Sequence, residues 1–336
     1  MKKNLILCLF MASILAMGVL LILHSPDGPN EKAGGQKNHK PFPAERPQNT
    51  IPILEVPLLQ YAYQAGDHMI SDFTYQTDLS IQQEGTKPSF FSLGISGELH
   101  QKVYRSNQDG AIFGYRVENP VVRLPQKGGE AFEIFKAALV QESYATANRF
   151  GKMEKFFFPS TVRVDLRHVV KSIILNAQIV LPQSRAQKWQ SQEIDLNGEY
   201  CAQYTVLSSA DMIHLQKKKL HYLKTEGKSA PRLLAGEMTI HFSPKGHFLR
   251  IEMDEELKHE AMGIVSQGKV TMKIVLKEKR TETDWNQEIV KKIDEGQFEG
   301  TTASQVEGEQ EFERQRLVRI LRSEEHTSEL QSRQSI

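Results

Sequence analysis

The chain has 336 residues, and its 42 basic and 41 acidic side chains leave a net charge of +1. This balance provides no electrostatic attraction for nucleic acid, so no nucleic-acid partner is predicted. There are only two cysteines, and Cys8 lies deep in an apolar run, so no internal disulfide is expected. Cys201 is predicted to be a buried small hydrophobe rather than a nucleophile, although its role stays open.

The first 23 residues have the pattern of a membrane-targeting segment. Lys2 and Lys3 precede an uncharged run from Leu5 to Leu23, which as a helix would be about 28 Å long, close to the thickness of the hydrocarbon layer. A cleaved signal has a shorter apolar core of about 7–15 residues and a small-residue cleavage site, which this run lacks. We therefore expect residues 1–23 to be an uncleaved signal anchor in the inner membrane, with the domain facing the periplasm. The alternative is a cleaved signal peptide and a secreted protein.

Residues 24–50 are rich in proline and glycine and have almost no apolar side chains, which predicts a flexible linker. Residues 51–281 then provide about 230 residues, enough for one large all-β domain.

Alternating apolar residues predict at least eight strands in this domain. The predicted strands are 58–64, 68–83, 90–104, 111–122, 186–194, 199–208, 237–242, 248–253 and 264–279. Asn197-Gly198 is a strong hairpin signal, and 131–150 could be strand or helix. We expect a closed or strongly curled antiparallel sheet, because such a sheet protects its edges.

Residues 160–181 are predicted to form one long central helix enclosed by this sheet. Apolar residues recur at helical spacing from Val162 to Val180. Ser160 or Thr161 is the expected N-cap, and Pro182 the expected stop. The predicted fold class is therefore mainly β, an antiparallel barrel-like sheet around an amphipathic helix.

The order of these elements resembles the N-terminal β-barrel module of the large lipid transfer proteins, the vitellogenin and microsomal triglyceride transfer protein group. The most specific match is the run from Glu193 and Asp195 through Gly198 and Cys201 to Tyr204, with one residue inserted between Gly198 and Cys201. Lys217 to Leu220 stands where the family has a lysine-containing strand. The resemblance implies a lipid-binding or lipid-transport protein, with a helical array and lipid-enclosing sheets after the barrel.

The chain departs from the family in two respects. The cysteine that the family places about 25 residues after the conserved one is absent, because this region reads Leu220-His221-Tyr222-Leu223. The N-terminal segment also resembles an anchor rather than a cleaved signal. Both differences indicate a bacterial relative.

Residues 282–322 are charged and helical in pattern, as at the start of a helical region. The stretch from Arg322 to Ser332 resembles the translation of a sequencing adapter. We therefore interpret residues 323–336 as an artefact. The natural sequence would then be cut near Leu321, and the lipid cavity of the resembled family would lie in the missing part.

No catalytic, cofactor-binding or metal-binding residues are predicted, and the chain is not expected to be an enzyme. It has no H-E-x-x-H, G-x-S-x-G, Walker or C-x-x-C motif. Glu193 with Asp195 is interpreted as a solvated face, and Lys217 to Lys219 as an exposed strand end. Asp195 to Gly198 resembles the start of a calcium loop, but Val206 stands at loop position 12, where such a loop requires a glutamate. The histidines at 214, 221, 241, 247 and 259 are predicted to be solvated or packed strand residues.

Three hypotheses remain. The favoured one is an exported, membrane-tethered lipid-binding or lipid-transport protein fragment, whose partners are a lipid and, through residues 5–23, the membrane. The alternative is a periplasmic protein-interaction module followed by helical repeats without a lipid cavity. An exported hydrolase would require a catalytic domain beyond Leu321.

Overall fold

The alternating segments form one antiparallel sheet in a computed structural model, which describes residues 57–83, 85–124, 130–208, 211–225, 231–261, 264–283 and 287–302. The strands are β1 Asp67–Gln83, β2 Ser89–Ser106, β3 Gly110–Arg123, β4 Ser143–Asn148, β5 Met153–Phe158, β6 Lys188–Asp195, β7 Gly198–Ser208, β8 Ile213–Thr225, β9 Arg232–Ser243, β10 His247–Ala261, β11 Ile264–Thr281 and β12 Glu299–Thr302. The helices are α1 Glu130–Val140, α2 Val164–Asn176 and α3 Gln287–Asp294.

The sheet has the strand order β12-β5-β4-β3-β2-β1-β11-β10-β9-β8-β7-β6. Most neighbours follow each other in sequence, but β1 pairs with β11 along its whole length, from Asp67 opposite Thr281 to Gln83 opposite Ile264. This one long-range ladder joins the two halves of the sheet. Because β6 and β12 each have a free edge among the described residues, the sheet is not closed. Of the two predicted forms, closed or strongly curled, the closed one is wrong.

The helix α2 lies inside the curled sheet. Its residues from Leu166 to Leu175 are all buried, and the apolar ones among them belong to one apolar core with side chains of β1 to β11. Burial on every side requires a helix with apolar residues all round or polar residues that find partners. Arg167 meets this requirement, since its Nε donates to the carbonyl of Val162 at 2.9 Å.

The prediction of one long central helix is wrong in two respects. The helix spans 164–176 instead of 160–181, and it is one of three short helices in the described part of the chain. Arg163 is the N-cap and makes no side-chain cap hydrogen bond, while Thr161 bonds to Gln141 instead.

The C-terminal end of α2 has a tertiary cause. The backbone groups of residues 179–181 find partners outside any helix. Tyr61 OH donates to the Ile179 carbonyl at 2.8 Å, and the Val180 amide donates to Tyr204 OH at 3.0 Å. Trp189 Nε1 donates to the Val180 carbonyl at 2.9 Å, and the Leu181 amide donates to the Phe150 carbonyl at 2.8 Å. Because these groups are satisfied, the helix ends well before Pro182.

Several smaller differences from the sequence prediction follow from packing. Residues 58–64 form no strand, and the segment that could be strand or helix contains α1 and β4. Beyond residue 281 the chain forms α3 and then β12, and β12 joins the sheet by pairing with β5.

The predicted anchor, the linker and the tail after residue 302 lie outside the described residues. Within the described part, no helix is both long and apolar enough to cross a bilayer.

Candidate functional site

Five charged side chains from three strands meet inside the sheet. We call them the interior cluster: Glu193 and Asp195 of β6, Lys217 and Lys219 of β8, and Glu255 of β10. On a strand, alternate residues share a face, so 193 lies beside 195 and 217 beside 219, while Lys218 points outwards. Four of the five are buried, with Glu193 at 0 % exposure, and the side chain of the fifth, Lys219, is 6 % exposed.

Glu193 is held by donors from four different parts of the chain. These are Lys217 Nζ at 2.6 Å, Tyr204 OH at 2.8 Å, Tyr200 OH at 3.0 Å, Gln178 Nε2 at 3.1 Å and the Ser191 hydroxyl. Burial alone would raise the pKa of Glu193, but Lys217 and these hydrogen bonds lower it below its usual value. The carboxylate therefore stays ionised.

Lys219 lies between two carboxylates. Its Nζ contacts Glu255 at 2.6 Å and also contacts Asp195, which accepts a second hydrogen bond from Tyr222 OH at 2.8 Å. Burial lowers the pKa of Lys219, but the two carboxylates of Asp195 and Glu255 together raise it by more, so the pKa of Lys219 lies above its usual value. The pKa of Glu255 is also raised, because the effect of burial exceeds the stabilisation by Lys219. Because the cluster has three carboxylates and only two ammonium groups, Glu255, whose pKa is raised, is the carboxyl that most readily takes up a proton.

The interior cluster has the features of a structural polar core. Every charged group in it has a partner of opposite charge, and the neighbouring space between Tyr200, Met238 and Met253 is only about 20 Å³, roughly enough for one water molecule. Among the described residues, this space beside the cluster is therefore too small for a substrate.

The larger interior space is a cavity of about 110 Å³ between α2 and the inner face of the sheet. Apolar side chains dominate its lining, and they come from β2, β3, β5, α2, β10 and β11: Leu99, Phe113, Met153, Ile174, Phe248 and Ile274. Its interior polar groups include Gln101 and Tyr115, which bond to each other at 3.2 Å. Such a lining suits a mainly apolar ligand that also makes a few polar contacts.

Two tyrosines of the segment before β1 also line this cavity. The rings of Tyr61 and Tyr63 stack with their centroids 4.9 Å apart, and Tyr63 meets Phe113 edge-on at 5.2 Å. Two glycines with positive φ allow this segment to approach. A Cβ at Gly246 would lie 2.5 Å from the Ala62 amide, and one at Gly151 would lie 2.4 Å from the Tyr61 ring.

The structure overturns two interpretations of polar residues. Glu193 and Asp195 were predicted to be solvated, yet they are buried because they bond to Lys217 and Lys219 across β7. The lysine run was predicted to be an exposed strand end, but the side chains of Lys217 and Lys219 are covered. That of Lys218 is 43 % exposed and pairs with Glu237 at 2.7 Å.

The remaining candidates agree better with the sequence. Cys201 is buried and free, as predicted. Asp195 to Gly198 is a hairpin turn. In it, Asp195 Oδ1 accepts hydrogen bonds from the backbone amides of Asn197 at 2.6 Å and Gly198 at 3.1 Å. The rings of His214 and His241 lie 4.4 Å apart on neighbouring strands, and His247 is buried.

Sequence patterns did not identify Glu255 or the cavity. Glu255 follows Asp254 and precedes Glu256 in a strand that carries many charges, so only the pairing of β10 with β9 places it inside. The cavity arises where six separate elements meet, and no local pattern marks it.

Comparison with known proteins gives few matches. No family model matches the chain, and no curated protein sequence matches it. A solved structure concerned with lipid–protein interactions in lipovitellin matches 67 % of this chain and 26 % of its own, at 13 % identity and a TM-score of 0.49. The chain therefore spans about a quarter of that protein.

Two further solved structures match at lower similarity. Ail, the attachment invasion locus protein of Yersinia pestis, matches 64 % of this chain and 100 % of its own, at 8 % identity and a TM-score of 0.17. A LolA-superfamily protein from Nitrosomonas europaea matches 65 % of this chain and 89 % of its own, at 9 % identity and a TM-score of 0.14. With scores below 0.5, no property of these three proteins is carried over, and the function must follow from the side chains of this chain.

Proposed function

We propose that this chain is an exported, membrane-tethered lipid-binding protein that holds one apolar chain of a lipid in the cavity beneath Tyr61 and Tyr63. The observation that carries the proposal is the cavity of about 110 Å³ with its mainly apolar lining. The resemblance of the Glu193 to Tyr204 run to the large lipid transfer proteins supports it independently.

The size of the cavity limits what can bind. A space of about 110 Å³ accommodates the end of one acyl chain but not a whole phospholipid. The rest of the lipid would extend past the mouth, which Asn107 and Arg149 help to line. In this proposal, residues 5–23 are the tether that keeps the cavity near the membrane from which a lipid is taken.

A photoactivatable fatty acid tests the proposal on the full chain. Cells that express the chain would receive a palmitate analogue with a diazirine near its methyl end and an alkyne for recovery. We expect cross-linked peptides that contain lining residues such as Met153 or Phe248. Labelling of residues 5–23 serves as an internal control for delivery of the probe to the membrane.

A matched pair of variants makes this experiment specific. Ala111 lines the cavity on β3, whereas Ala235, equally half-buried on β9, does not. Ala111→Leu should reduce cavity labelling roughly tenfold or more, because each excluded methylene forfeits about 0.8 kcal/mol. Ala235→Leu should leave it unchanged. Labelling confined to residues 5–23, or equal labelling in both variants, would instead favour the protein-interaction module.

A further inference from the structure

A second polar group, distinct from the interior cluster and the cavity, lies on β2 and β3. Glu98 and Glu118 face each other directly across the two strands, and His100 follows Glu98 on the same face. One ligand atom from each of these three residues lies within 4.8 Å of the others. Like charges that face each other directly destabilise a sheet, and each of these two carboxylates is paired with one cation, Glu118 with Arg116 and Glu98 with Lys277.

The proton positions on His100 follow from its neighbours. Glu282 Oε1 lies 2.7 Å from His68 Nδ1, and Lys102 Nζ contacts the other oxygen of Glu282 at 2.9 Å. A carboxylate can only accept, and its contact is the shorter one, so we assign a proton to His68 Nδ1. Arg280 Nε and Nη2 both lie 3.3 Å from the same nitrogen, and Nη2 also donates to Glu282 Oε1 at 3.4 Å. In a neutral ring, His68 Nε2 then accepts from His100 Nδ1 at 2.9 Å.

With this assignment His100 carries its proton on Nδ1, so its Nε2 has no hydrogen and presents a lone pair. It points towards Glu118 Oε2 at 3.3 Å, and no hydrogen-bond partner among the described residues satisfies it. His100 is only 6 % exposed, so water does not freely compensate. A lone pair directed at a carboxylate oxygen is repulsive unless a cation lies between them.

Neighbouring residues orient the two carboxylates. Arg116 donates to Oε1 of Glu118, and Lys277 donates to Oε1 of Glu98 at 2.7 Å. Each carboxylate therefore keeps its second oxygen available. Lys277 also lies 3.4 Å from Asp72, so its charge is shared with a third carboxylate.

The backbone at this point is shaped by a bulge. The register of β2 and β3 shifts between Ser96 and Glu98, and Asn119 has a positive φ of 49° beside Glu118. A Cβ at Gly97 would lie 2.7 Å from the Glu118 carbonyl. Bulges of this kind redirect side chains next to functional sites.

We propose that Glu98, His100 and Glu118 bind a divalent transition metal of the Zn²⁺ type. Imidazole nitrogen with carboxylate oxygens suits zinc and its neighbours better than calcium or magnesium. Three protein ligands leave a fourth position for water. The Glu282–His68 pair is the outer layer that fixes the tautomer of the ligating histidine.

The test uses the full chain, stripped of metal by chelator and titrated with Zn²⁺ in a calorimeter. We expect one equivalent to bind, and Co²⁺ in its place to give a visible absorption band. His100→Gln should remove both signals. Glu118→Gln changes a side chain that is 36 % exposed, so it decides the matter where His100→Gln does not fold. We expect it to weaken binding at least tenfold.

Two more variants separate this site from other histidines. His68→Gln removes only the outer partner, and such changes weaken metal sites by about 10–100-fold. His241→Gln is the matched control, because His241 and His214 form the other close histidine pair of the sheet. Absence of binding, binding that survives both His100→Gln and Glu118→Gln, or binding lost in His241→Gln would overturn the proposal.

Discussion

At the scale of single residues, alternation along a strand shows which side chains share a face but not which face is inside. Glu193 and Asp195 are two residues apart, and so are Lys217 and Lys219, so in a strand each of these two pairs lies on one face. We predicted these charged residues to face solvent because burying a charge is ordinarily costly. That cost is offset here by partners about 24 residues away, at 2.6 Å in the case of Glu193 and Lys217, and no single strand reveals the compensation.

The residues of the proposed metal site could not be identified from the sequence for the same reason. His100 and Glu98 are two apart on one strand, but Glu118 belongs to the next strand, so no motif of fixed spacing joins them. The only sequence signal was indirect, namely charged residues within otherwise apolar strands.

Lys217 and Lys218 give a residue-scale prediction, because they are neighbours with opposite environments. Lys217→Met leaves Glu193 buried without its cation and should lower the free energy of unfolding by about 3–5 kcal/mol. Lys218→Met removes only the partly exposed pair with Glu237 and should cost less than about 1 kcal/mol. Urea denaturation of the full chain measures both.

The double variant Glu193→Leu/Lys217→Met provides the control for this prediction. Removal of both charges takes away the uncompensated carboxylate, so it should recover part of the loss. Equal costs for the two single lysine variants would contradict the assignment of Lys217 to the core.

At the scale of elements, alternation located the strands well but misjudged the helix ends. The predicted strands at 68–83, 90–104, 111–122 and 264–279 correspond to β1, β2, β3 and β11. By contrast, apolar residues continue past Asn176 to Leu181 because they pack as extended chain under Trp189 and Tyr204. Periodicity cannot distinguish this from another helical turn.

The enclosure of α2 predicts the effect of a charge at its centre. Ile173 is 4 % exposed, so Ile173→Asp would bury a carboxylate without a designed partner and should unfold the domain. Thr161→Asp introduces the same charge at an exposed position before the helix and should keep the thermal transition. A sharp melting transition in Ile173→Asp would contradict the enclosed position of α2.

At the scale of the whole molecule, the strand order could not be predicted because it depends on two pairings between distant segments, β1 with β11 and β5 with β12. β1 and β11 are separated by about 180 residues and pair along their full lengths. Hairpin signals such as Asn197-Gly198 predict neighbours in sequence and say nothing of this ladder. The same limit explains why the prediction left open whether the sheet is closed or only strongly curled, whereas β6 and β12 are its open ends.

The segment after residue 281 tests whether the molecule unfolds as one unit. Ile293 of α3 is 7 % exposed and packs with Tyr104, Ile112, Tyr144 and Phe157, and Arg105 pairs with Asp294 at 2.9 Å. Ile293→Ala removes buried methylene groups and should cost about 2–4 kcal/mol. Because β12 pairs with β5, we expect hydrogen exchange to accelerate in β5 as well as in α3.

Val290→Ala is the matched control, since Val290 is half-buried on the same helix and its truncation should cost less. If Ile293→Ala accelerated exchange only in α3 and β12, with β5 and the main unfolding transition unchanged, these two elements would be an appended unit. Acceleration that extends into β5, together with a lower transition, would show that the sheet and its last strand share one cooperative core.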